Sequence, residues 1–306
     1  MDKKNKEISL QAKMLRKCIQ MATSEHLIGP KIKDGTLRKK VKEPQWHCPE
    51  GYSFLRIQVK KCYVEILTPP KIQSNMVVLQ MHGGGYIGRM KNAYRNYAKE
   101  YADMRNGMKV YSLDYRVAPR HPYPAALHDA VAVYHLLESL GYDSSQIILA
   151  GDSAGGGLCL ALCAYLRDHG KSVPANAVLM SPWTDLTASG SSYEENYTKD
   201  PLFGNTKESM IYSGEYYAGH DPHDPYISPV FDSFKEFPRM LFQVGSIEML
   251  LSDTLDAVAK AKEAGCKVDC TVYDGMFHEF QMANPFLPEA KKAWQEVKEF
   301  IERIKE

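Results

Sequence analysis

A serine held between glycines is where this chain could do covalent chemistry. Gly151-Asp152-Ser153-Ala154-Gly155 follows an apolar run, Ile147-Ile-Leu-Ala150, and precedes a helix-length segment that reaches about Gly170. Gly-x-Ser-x-Gly between strand and helix is the pattern of a nucleophile elbow, a sharp turn that exposes the hydroxyl. Strand and helix close up so tightly there that the positions two before and two after the serine tolerate almost no side chain. Gly155, Gly156 and Gly157 strengthen the pattern, because each glycine in a helix costs about 1 kcal/mol relative to alanine. Three in one turn imply that backbone must approach backbone. A glycine-rich packing turn with an incidental serine is the plainer reading, and the rest of the chain weighs against it.

A second glycine run, His82-Gly83-Gly84-Gly85-Tyr86-Ile87-Gly88, follows the apolar stretch Met76–Met81. Gly83, Gly85 and Gly88 satisfy G-x-G-x-x-G, and Asp114 ends the next expected strand, which together imitate a nicotinamide-dinucleotide fingerprint. That motif needs its helix to open within the glycines, so that the helix N-terminus faces the pyrophosphate. Here helical character starts only near Asn92, and the reading leaves Ser153 without a purpose. The favoured alternative is an oxyanion loop. Acyl transfer places negative charge on one oxygen, and glycine lets rigid backbone N–H groups approach it unobstructed.

The elements that must position these groups alternate. Strands are expected at Ser53–Lys60, Cys62–Leu67, Met76–Met81, Lys109–Asp114, up to Gly151, Ala177–Met180, Met240–Val244 and Val268–Tyr273. Helices are expected at about 4–24, Asn92–Asn106, Ala125–Leu140, on to Gly170, Asp253–Ala264 and Glu289–Ile304. Strands alternating with helices imply βαβ units and a mostly parallel sheet, with the early strand pair as its antiparallel edge. Two stretches break the rhythm: the basic segment through Lys39, Lys40 and Lys42, read as a solvated covering segment, and residues 186–232, read as an insertion over one end of the sheet. The formal net charge of +1 gives no reason to expect nucleic acid or an anionic membrane as partner. No run approaches the ~18 apolar residues of a membrane span, and the charged start leads into no secretory h-region. Seven cysteines, an odd number, argue against a disulfide framework and for a reducing, cytoplasmic setting.

Four motifs in order carry a family resemblance: His82-Gly-Gly-Gly85, Asp114-Tyr-Arg-Val-Ala-Pro-Arg-His-Pro-Tyr-Pro-Ala-Ala126, Gly151-Asp-Ser-Ala-Gly155 and Ser181-Pro-Trp-Thr-Asp-Leu186. The chain resembles the hormone-sensitive-lipase-like branch of the α/β-hydrolases, mainly microbial carboxylesterases, over roughly residues 50–306. The resemblance implies an eight-stranded α/β-hydrolase sheet over residues 51–306. It also implies a helical cap built from residues 1–50 and the insertion at about 186–232. By the same resemblance Ser153 is the nucleophile, and the amides of Gly83, Gly84 and Ala154 form the oxyanion hole. Two departures stand out: Arg120 occupies a position where an acid is common, and the triad acid is not the usual aspartate.

In this fold the triad runs serine, acid, histidine along the chain. His278, in Gly275-Met-Phe-His278-Glu279, follows the last strand and precedes the last helix; His82, His121, His128, His135 and His169 come too early. For the acid, Glu248 lies on the loop after Met240–Val244, whereas Asp253 reads as a first-turn residue favoured there by the helix dipole. Glu248 is preferred, with Glu279 and Asp274 as minor options. Glutamate suits the role, which is to accept the imidazole N–H and hold its tautomer. His220 and His223 with Asp221 and Asp224 could hint at a metal, but Pro222 and Pro225 point to a turn. Asp152, Asp114 and Asp185 read as loop-fixing acceptors, and Trp183 and Tyr86 as pocket walls or core.

The expectation is a serine carboxylesterase acting on short-chain acyl or acetyl esters, with no cofactor and no metal. Two readings from other classes stand beside it. One is a nicotinamide-dependent oxidoreductase using Gly83–Gly88, and the other is a small-molecule receptor on a hydrolase fold. Neither the natural substrate nor a homodimer is decided by these residues.

Overall fold

The apolar runs form one sheet because each is flanked by helices with an apolar face of their own. In the computed structural model, which describes residues 8–23, 43–205, 207 and 209–304, eight strands appear: β1 (Ser53–Val59), β2 (Cys62–Thr68), β3 (Val77–Met81), β4 (Lys109–Asp114), β5 (Ile147–Asp152), β6 (Asn176–Met180), β7 (Arg239–Gly245) and β8 (Val268–Tyr273). Their order in space is β1-β2-β4-β3-β5-β6-β7-β8. The β1–β2 and β2–β4 pairs are antiparallel, and every later pair is parallel. All five residues of β3 and all six of β5 are buried, as continuous apolar strands covered on both faces must be.

The helices are α1 (Leu10–Thr23), α2 (Asn92–Ala102), α3 (Ala125–Ser139), α4 (Ala154–Asp168), α5 (Ser192–Glu195), α6 (Leu251–Glu263) and α7 (Pro288–Glu302). Alternating strand residues divide the core. Val77, Leu79, Ile147 and Leu149 pack with α3, α4 and α6, while Val78, Ile148 and Val178 pack with Tyr97 and Tyr101 of α2 and Trp294 and Phe300 of α7. The expected helix Asn92–Asn106 ends early. Asp103 caps α2, and a separate single turn at Met104–Asn106 carries Arg105 at φ 50° before Gly107 at φ 109°.

One strip of the fold matters most for the site. Residues 186–232 contain α5 and single 3₁₀ turns at Met210–Tyr212 and Pro229–Phe231. The first helix reaches this insertion, with Thr23 Oγ1 donating to the Pro201 carbonyl at 2.6 Å. It also buries Ala12 against Tyr273, Met276, Phe277 and Phe280, the residues around the loop after β8. The basic segment through Lys39, Lys40 and Lys42 lies outside the described residues. No helix among the described residues is long and apolar enough to cross a membrane.

Candidate active site

Ser153 stands between β5 and α4 with φ 51° and ψ −122°, a backbone region sparsely populated by residues with a side chain and costing on the order of 1–3 kcal/mol. Its surroundings hold that strain in place. The Ser153 amide donates to the Met180 carbonyl at 2.9 Å, and its own carbonyl accepts from Trp183 N at 2.9 Å and Gly157 N at 3.1 Å. The glycines are there for close approach. A Cβ on Gly151 would sit 2.4 Å from the Gly155 carbonyl oxygen, and one on Gly155 would sit 2.0 Å from that of Met81. Strand, turn and helix are in backbone contact, which explains the glycine at both positions.

The loop after β3 is closed on itself. Ile87 N and Gly88 N both donate to the Gly84 carbonyl, at 3.1 and 2.7 Å, and α2 opens only at Asn92. The helix that follows does not open within the Gly83–Gly88 run, so the dinucleotide arrangement, with that helix's N-terminus on the pyrophosphate, is not formed there. His82 anchors the loop: its Nδ1 is 2.7 Å from the Gly83 carbonyl oxygen, and its ring stacks on Tyr115 with centroids 4.1 Å apart. Burial pulls the His82 pKa down to about 4, against the Gly83 contact, so the ring works as a neutral strut.

One expectation needs correcting here. The Gly83 amide donates to Asp152 Oδ2 at 2.9 Å and is therefore engaged inside the protein instead of facing a substrate. The amides of Gly84, Gly85 and Ala154 donate to no acceptor among the described residues; that of Ala154 opens α4, where the first amides have no partner within the helix. The sequence pattern of three glycines did not say which amide turns inward. The sequence reading did place Asp152 as a loop-fixing acceptor, and that is its geometry. Asp185 behaves likewise, accepting Thr187 N at 2.8 Å and Ser189 N at 3.0 Å. Asp114 instead pairs with Arg56 at 2.7 Å.

Glu248 and His278 meet across the loops after β7 and β8. His278 Nδ1 is 2.8 Å from Glu248 Oε2, and both side chains are almost wholly buried. Glu248 Oε1 accepts from Ser181 Oγ at 2.8 Å and from Gly245 N at 2.5 Å. Burial lifts the Glu248 pKa above the usual carboxylate value, while His278, the Gly245 amide and the Ser181 hydroxyl pull it back. For His278 burial acts downward, but the Glu248 hydrogen bond and charge outweigh it, and the imidazole pKa ends above its ordinary value. No hydrogen bond joins Ser153 to His278, yet their chain neighbours converge. Asp152 Oδ2 and Glu279 Oε1 would both lie within 2.4 Å of a Cβ on Gly83. Catalytic bonds of this kind often tighten only with substrate bound.

Asp253 is elsewhere. Its Oδ2 accepts the amides of Thr184 at 2.9 Å and Asp185 at 2.8 Å, fixing the start of the insertion. Asp274 accepts from Ser246 Oγ at 3.2 Å. Two insertion residues that sequence reasoning did not single out reach the site. The Phe203 ring lies 4.7 Å from the His278 ring, and Met210 Sδ rests against Gly85. Trp183 and Tyr86 are both buried in the core. His223 lies against Asp221 at 2.9 Å, and His220 meets the edge of Tyr123.

Comparison with known proteins adds the following. Residues 78–282 match a family described as having the alpha/beta hydrolase fold. The chain is similar to an acetyl-hydrolase of Streptomyces hygroscopicus, 36% identical and covering 78% of each protein. It is also similar to an esterase of Acinetobacter venetianus, 37% identical over 74% of this chain and 75% of that one. Among solved structures, an esterase from the bacterial hormone-sensitive lipase family superposes with a TM-score of 0.82 at 32% identity, over 97% of this chain and 99% of that chain.

Proposed function

The chain belongs to the hormone-sensitive-lipase-like branch of the α/β-hydrolases and is a carboxylic ester hydrolase; we propose that it cleaves short-chain acyl esters through Ser153, His278 and Glu248. His278 Nε2 takes the Ser153 proton as Oγ attacks the ester carbonyl. Glu248, on Nδ1, holds the tautomer and stabilises the imidazolium. The amides of Gly84 and Ala154, with Gly85 in the place expected of Gly83, hold the oxyanion, each donor contributing roughly 3 kcal/mol in the transition state. The imidazolium returns its proton to the departing alcohol. Water, deprotonated by the same Nε2, then releases the acid. The observation that carries this reading is the buried 2.8 Å contact between Glu248 and His278 on consecutive strand-end loops, beside a serine held in a strained turn.

The short acyl preference is read from the wall. Phe203 beside the imidazole and Met210 above the oxyanion loop narrow the space next to the reacting carbon. Similarity to a protein named acetyl-hydrolase agrees with that. Helix α1 and residues 186–232 act as the cap, tied by the Thr23–Pro201 bond. Unpaired thiols among the described residues fit a reducing cytoplasm. A p-nitrophenyl ester series from acetate to decanoate tests the reading. The expected result is highest kcat/KM at acetate to butyrate and a steep fall beyond; hydrolysis of none of them would sink it.

A further inference from the structure

The carboxyl group next to the proposed base has no part in the steps above. Glu279 adopts φ 54° and ψ 33°, a left-handed conformation uncommon for a residue with a side chain, and its carboxyl points inward. Oε1 is buried, accepts from no donor among the described residues, and lies 4.0 Å from His278 Nε2. The point where a Gly83 Cβ would sit is 2.3 Å from Glu279 Oε1 and 2.4 Å from Asp152 Oδ2. Both carboxyls therefore press on one point beside the oxyanion loop, while Asp152 also accepts the Gly83 amide. A second carboxylate charge so close to the buried Asp152 side chain is disfavoured, since like charges at short range hold a proton on one of them.

We propose that Glu279 and Asp152 share one proton across Gly83, and that this acid pair braces the base loop, the elbow and the oxyanion loop against one another. Glu279 is then a positioning residue for the esterase reaction, so the inference rests on that reading. The shared proton supplies the donor that Glu279 Oε1 lacks. Burial, and after it the charge of Glu279, push Asp152 well above the carboxylate range, which agrees with the geometry.

Among the described residues, no cation contacts the pair to replace that proton at alkaline pH. The pair faces His278 from its own loop, His82 from the loop after β3, Tyr94, Tyr97 and Tyr101 from α2, Cys159 from α4, and Tyr115 beyond β4. Behind these stand Glu248 and Asp200, acting on His278, and Asp114 and Lys91, acting on His82. The His82 imidazole is neutral in that range, and burial keeps the Tyr94, Tyr97, Tyr101 and Tyr115 phenols and the Cys159 thiol protonated. The sign follows. The brace is whole below the pair's pKa; as pH rises through it, a second negative charge appears beside the Gly83 amide and forces the loops apart.

The test compares wild type with Glu279→Gln and Glu279→Ala. It reads kcat and KM for p-nitrophenyl butyrate across pH, with thermal melting as a fold control and infrared difference spectra for a protonated carboxyl band. The expected Gln variant keeps wild-type kcat at neutral pH and loses the alkaline fall, because its amide donates to Asp152 and has no proton to lose. The expected Ala variant loses kcat on the order of 10²-fold with KM nearly unchanged. A protonated-carboxyl band at neutral pH is expected in wild type and absent from the Gln variant. Wild-type kcat and pH profile in Glu279→Ala, an unchanged alkaline fall in Glu279→Gln, or no such band in wild type would each overturn the brace. The band is read without turnover, so a wild type that hydrolyses nothing would count against the esterase reading separately.

Discussion

The elbow and the 186–232 insertion meet at the same end of the sheet, and they are held by opposite means. Around Ser153 the contacts run backbone to backbone: Gly155 against the Met81 carbonyl, Ser153 N on Met180, Trp183 N on Ser153. In and around the insertion, carboxylates gather amides. Asp200 accepts Leu202 N and Phe203 N from one side and Met249 N from the other, and Asp232 accepts Phe234 N. Asp253 accepts Thr184 and Asp185 in the same way. Backbone contact leaves no rotamer to adjust, which suits an atom that must be placed within a fraction of an ångström. Side-chain scaffolding can change one residue at a time, which suits a wall that sets substrate shape.

The largest expected effect separates two acids that follow the same strand, one on the base and one on the insertion's first residues. Glu248→Gln keeps the shape but removes the charge that His278 leans on, and kcat should fall roughly 10⁴-fold, the size expected when a triad acid loses its charge. The sign of the pH effect is fixed too. Glu248 raises the His278 pKa against burial, and the base must be neutral to act. The remaining activity should therefore have its acid limb at lower pH than wild type. Asp253→Asn should keep most of the kcat and lower the melting temperature, since its Oδ2 serves only the Thr184 and Asp185 amides. Rate against pH, with melting curves, checks both; the reverse pattern would exchange their roles.

A smaller pair of effects sharpens the same contrast. Gly155→Ala puts a methyl group 2.0 Å from the Met81 carbonyl oxygen and 2.6 Å from that of His82. Neither is a side-chain end that can move aside, so denaturant unfolding should show a loss at the upper end of about 1–3 kcal/mol. Met210→Ala touches only the half-buried wall of the insertion. It should change stability by about 0.5 kcal/mol or less while raising kcat/KM for longer acyl esters.

How much of this was legible follows from the kind of contact involved. The strands β3 and β5 were readable because buried parallel strands are unbroken apolar runs, and the bounds of β4 and the half-exposed edge strand β8 also agree with the sequence reading. The elbow was readable because backbone contact demands glycine, and Gly151 and Gly155 stand in the sequence for all to see. The contact between Glu248 and His278 followed from chain order. Periodicity carries no record of amide direction, so Gly83 was assigned an oxyanion role that its bond to Asp152 precludes. Nor did Glu279 announce itself beyond a minor candidacy as the acid. Its place against Asp152 joins residues 127 positions apart through a turn at φ 54°. Phe203 and Met210 lie in a stretch with no period at all, where only the folded chain brings them over the loops.

The central claim is that the Ser153 hydroxyl is the nucleophile and His278 activates it. Incubation with diethyl p-nitrophenyl phosphate, followed by peptide mass mapping, tests it most directly. One diethylphosphoryl group should appear on Ser153 as ester hydrolysis disappears in step, and His278→Ala should be labelled far more slowly. Full loss of hydrolysis with the label on another residue, or wild-type turnover by Ser153→Ala, would contradict the account.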